Sequence, residues 1–137
     1  MSRTSQLTAV ALLLALASIV VTRVVKAFTV AEVLAVGSFL AGMAILVLHR
    51  QSAVPGAMGW PHRLVVVGSL VGLSGVLLKL LFVALGIGVE AHDMADHAAA
   101  GPNPLLVHIH HLFFNIGFLF MLVAAIGLGV RRFRRPS

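Results

Sequence analysis

Four apolar runs, residues 7–25, 30–48, 64–89 and 105–130, occupy most of the 137-residue chain. Each meets or approaches the roughly 20 apolar residues needed to cross the hydrocarbon of a bilayer. Lipid offers no water to satisfy amide groups, so a single spanning segment must bond its own backbone, and the α-helix does this. Charged residues make up only 10% of the chain, against about 25% in soluble domains. The expected fold is an all-α integral membrane protein: one domain, residues 1–137, with four transmembrane helices in an antiparallel bundle. The connections and tails leave no room for a soluble domain.

Basic residues suggest an orientation. With four spans, Arg3, Arg50, Arg63, Arg131, Arg132, Arg134 and Arg135 fall on one side, whereas Arg23 and Lys26 fall on the other. The positive-inside rule then places both termini in the cytoplasm of a bacterial inner membrane. The net charge of +6 is read as a topology signal. The basic tail at 131–135 is expected to lie against anionic lipid, and nucleic acid is not an expected partner. The first run has the form of a secretion signal, with Arg3 ahead of it and Ala15-Leu16-Ala17 in it, but is taken as a retained span. Without cysteine, any metal site must use His, carboxylate, Asn or Met.

Within the spans, Gly68-xxx-Gly72 is expected to serve close helix packing inside the bundle rather than a homodimer face. Lys79 stands about 15 Å from the end of its run at a rise of 1.5 Å per residue, close to mid-membrane. An ionisable group at such depth is read as functional by default. Asn115, at a similar distance into the fourth run, and Glu32, as a counter-charge nearer the surface, are expected to share a buried polar pocket with Lys79. Trp60 is placed at the headgroup level beside the turn residues Pro55, Gly56, Gly59 and Pro61.

Five of the seven histidines and three of the four acidic residues crowd into residues 90–111. Glu90-Ala91-His92-Asp93-Met94-Ala95-Asp96-His97 leads through a Gly-Pro-Asn-Pro break to His108-Ile109-His110-His111. Orientation places this island outside the cytoplasm. Imidazole and carboxylate together suit zinc or copper, provided that three or four ligands converge. His108 and His111 are one helical turn apart, with Asn115 continuing that face and His110 pointing away from it. They are the first choice as ligands, followed by His92, His97 and Asp93, and then His110, Asp96 and Glu90. The zinc-protease spacing His-Glu-x-x-His is absent. Haem ranks below copper and zinc: His49 and His62 flank the inner loop but sit beside arginines at span ends.

The leading expectation is thus a small inner-membrane protein that binds Cu or Zn through an outward-facing His/Asp cluster, in metal handling or metalloenzyme assembly. Catalysis is not the expected role, because no nucleophile with a positioned base and no phosphate-binding loop is visible. The alternative is a non-catalytic structural subunit of a respiratory or oxygenase-type membrane complex. Its partners would be lipid and other membrane subunits or further copies, met through a stripe of Phe113, Phe114, Phe118 and Phe120. A third reading places Lys79, Glu32 and the outer histidines along an ion path.

Overall fold

The computed structural model describes residues 2–51, 58–85 and 104–133, with side chains except at residues 28, 104–108 and 131–133. All the regular structure among them is helical: α1 (Arg3–Val20), α2 (Phe28–Gln51), α3 (Trp60–Ala84) and α4 (Pro104–Phe133). A π-helical turn, Val21–Val25, extends α1. All four helices are long and apolar enough to span a membrane. The protein is therefore a multi-pass membrane protein, and the four expected spans are present.

Local chemistry sets the ends. The Ser2 hydroxyl accepts from the Ser5 backbone N–H at 3.2 Å, satisfying one of the amides a helix start leaves over. Pro61 in the first turn of α3 and Pro104 at the head of α4 occupy positions whose N–H has no helical acceptor. Between α1 and α2 the chain turns within two residues, and Lys26 takes a left-handed conformation (φ 56°). That conformation commonly closes a helix, more often with Gly or Asn. The run expected to reach Val89 gives an α3 that ends at Ala84 and is capped by Leu85.

Small side chains line the buried faces. Thr8, Ala11, Ala15 and Ser18 form the inner stripe of α1, and Ala31, Ala35, Ser38 and Gly42 recur on that of α2. Gly68, Ser69, Gly72 and Gly75 do the same on α3, as do Gly117, Ala124 and Gly127 on α4. Many large aliphatic residues point the other way: Leu13 and Leu77 are 65% and 66% exposed. This distribution suits a chain surrounded by lipid, where apolar bulk gains little from burial and association depends on close backbone approach.

The closest approach joins α3 to α4. A methyl group on Gly117 would lie 2.7 Å from the Gly68 carbonyl oxygen, and one on Gly68 would lie 2.6 Å from the Gly117 carbonyl oxygen. Gly68-xxx-Gly72 thus packs within the chain. Phe39 of α2 lays its ring over Gly72 and meets the rings of Phe114 and Phe118 at 5.7 and 5.3 Å. Hydroxyls stitch α2 to α1: Ser18 Oγ donates to the Ala31 carbonyl at 2.7 Å, and Ser38 Oγ to the Ala11 carbonyl at 2.8 Å. Met121 Sδ of α4 lies 3.3 Å from the same Ser38 hydroxyl.

Candidate functional site at one end of the helices

Glu32, Lys79 and His110, ionisable side chains drawn in among the helices, gather at one end. Glu32 lies on the second turn of α2, and Lys79 lies five residues before the end of α3. The Lys79 ammonium donates to both carboxylate oxygens of Glu32 at 2.6 Å, joining α2 to α3. The side chains are only 20% and 30% exposed, respectively. A charged group held among apolar helices is costly unless its partner comes with it, and here the two arrive from different helices.

The depth of this pair differs from expectation. Because α3 stops at Ala84, Lys79 lies about 7.5 Å from the helix end at 1.5 Å per residue, in the outer part of the span rather than its middle. Asn115 does not join it. Its side is exposed, off the buried stripe of α4 formed by His110, Phe114, Gly117, Met121 and Ala124. The reason is helical phase: that stripe steps by four and three residues, and Asn115 falls one position, about 100°, past Phe114. The expected three-residue pocket is therefore corrected to a pair, Glu32 and Lys79.

The same phase turns His110 inward. It is 0% exposed, and its backbone carbonyl lies against Gly75 of α3. Its ring lies 4.0 Å from that of His111 at a tilt of 36° and meets Phe114 edge-on at 6.2 Å. His111 is partly exposed. The two rings are therefore in contact, although His110 was expected to point away from the His111 face, and the histidine ranked low as a ligand is the enclosed one. Gly117, Ala124 and Gly127 mark the packed face at spacings of seven and three. Stepping back seven residues from Gly117 would have singled out His110.

The phenylalanine stripe also faces inward. Phe114 is buried, Phe118 packs against the core, and Phe113 and Phe120 border Gly75 and Gly68. At the other end, His49 and Arg50 close α2, His62 opens α3, and the indole of Trp60 covers Gly127.

Glu90, His92, Asp93, Asp96 and His97 lie outside the described residues, and so does the side chain of His108. Among the described residues, no three His, Asp or Glu side chains gather closely enough to hold a metal ion. No family model, curated protein or solved structure matches the chain.

Proposed function

We propose that this chain is a small bacterial inner-membrane protein that binds a transition metal ion, copper or zinc, at its extracytoplasmic end. It acts in metal handling or in the assembly of a larger metalloenzyme. The helices form an antiparallel bundle with cytoplasmic termini. The contact order supports this: along α3 from Gly68 to Gly75, the partners on α4 step back from Phe120 to His110. The basic residues at 50, 63 and 131–135 support the orientation.

The observation that carries the proposal is that the buried imidazole and the interhelical ion pair lie at one end, while the other end carries His49, Arg50, His62 and Arg63 at the helix termini. His110, His111, Glu32 and Lys79 share the end from which the 90–111 island springs. Toward the other end, the described core holds Phe39, Ile45, Val65, Met121 and Ala124, with Thr8, Ser38 and Ser69 bonded to helix carbonyls. A path for ions would call for polar groups along its length. Binding at one end asks for them only there, so binding is favoured over conduction. His111 and His108 are the α4 ligands, with His92, His97 and Asp93 closing the site and Asp96 and Glu90 at its edge. Imidazole with carboxylate suits Zn(II) and Cu(II), and Met94 adds a soft donor for Cu(I).

The test is a titration of untagged protein in detergent with Cu(II) and Zn(II), beside a His108→Ala/His111→Ala variant. The proposal expects saturable binding by the parent and at least tenfold weaker binding by the variant. Equal binding by the two would remove this histidine pair from the site.

A further inference from the structure

The ion pair and the buried imidazole occupy neighbouring levels of the bundle. Gly75 faces His110, Phe113 and Phe114, and Lys79 is one turn farther along α3 toward its end. On α2, Phe39 lies over Gly72 and against Phe114, and Glu32 is two turns nearer the start of that helix. The Glu32–Lys79 bridge thus crosses from α2 to α3 about one turn, roughly 5 Å, outward of the level that holds His110. It also links the α1–α2 and α3–α4 halves of the molecule. Below it, those halves meet through Phe39 on Gly72 and Ser38 beside Met121, contacts made by ring, sulfur and hydroxyl.

We propose that the Glu32–Lys79 pair is a latch between the two halves that governs access to the His110 imidazole from the outer end. While the bridge holds, His110 stays covered at 0% exposure. When it parts, α2 and α3 separate at their outer ends, where among the described residues no glycine contact holds them, and the imidazole meets whatever enters. On the metal reading above, on which this last step rests, His110 then becomes an additional ligand beside His111. The close α3–α4 seam at Gly68, Gly72 and Gly117 stays shut, because it lies about two to three turns deeper along α3 than Lys79 and its backbone contacts do not involve the ion pair.

The latch is tested without metal, so its failure and the failure of the metal reading are distinguishable. Purified protein in detergent is treated with diethylpyrocarbonate. Modification of His110, His49 and His62 is then followed by tandem mass spectrometry that resolves His110 from His111. The expected result is that His110 in the parent reacts at least tenfold more slowly than His49. Glu32→Gln and Lys79→Met each raise the His110 rate at least fivefold and leave His49 and His62 unchanged. The charge-swapped variant Glu32→Lys/Lys79→Glu returns it to within twofold of the parent. Single variants that leave His110 covered would overturn the proposal, as would a swapped pair that leaves it open. A rise shared equally by His49 and His62 would also overturn it, because the pair would then brace the whole bundle rather than cover one residue.

Discussion

At the scale of single residues, buried polar groups are few and each has a definable task. Ser38 illustrates this: one hydroxyl hydrogen faces both the Ala11 carbonyl at 2.8 Å and Met121 Sδ at 3.3 Å, so three helices meet at one side chain. Ser38→Ala is expected to cost about 0.5–1.5 kcal/mol, the usual range for interhelical hydrogen bonds in membranes. Reversible unfolding in mixed detergent checks this, and a loss within error of zero would mean that the bond contributes nothing net. The Glu32–Lys79 partnership was legible in the sequence because two opposite charges stood nearly alone among apolar residues. Asn115 misled because depth alone does not set its face of α4: it falls one position past Phe114, off the buried stripe. It was the depth of Lys79 that was reckoned from where the apolar run ends. An apolar run reports hydrocarbon-compatible sequence, and α3 stops five residues sooner than that.

At the scale of helices, the positions that matter are those where backbones touch. Gly117 sits against the backbone of Gly68 and Gly72, whereas a side chain on Gly129 of the same helix would meet nothing within 4 Å. Gly117→Leu is therefore expected to destabilise by about 2–3 kcal/mol or more, the scale of overpacking in a close contact. Gly129→Leu should be neutral within about 0.5 kcal/mol. The pair of variants, measured by the same unfolding assay, separates seam packing from helix propensity, since both exchange Gly for Leu in one helix. Similar losses in both would contradict the seam. The number of long apolar helices was readable from hydrophobicity alone. The inward faces were less so: where lipid replaces water, large apolar residues no longer mark the core, and the spacing of small ones does. Read that way, Gly117, Ala124 and Gly127 point to His110.

For the molecule as a whole, the sequence and the fold describe complementary parts. Four apolar helices carry an ion pair and two touching imidazoles near one end. The island that the proposal adds to this end lies outside the described residues, and its role is argued from residue type, spacing and the distribution of basic residues. The central claim, a transition metal held at that end, is tested most directly by elemental analysis of protein expressed without a histidine tag. After equilibration with copper and zinc and exhaustive dialysis, the account predicts close to one equivalent of copper or zinc per chain. Retention of neither metal above the level of a control in which His92, His97, His108 and His111 are all replaced by alanine would contradict it.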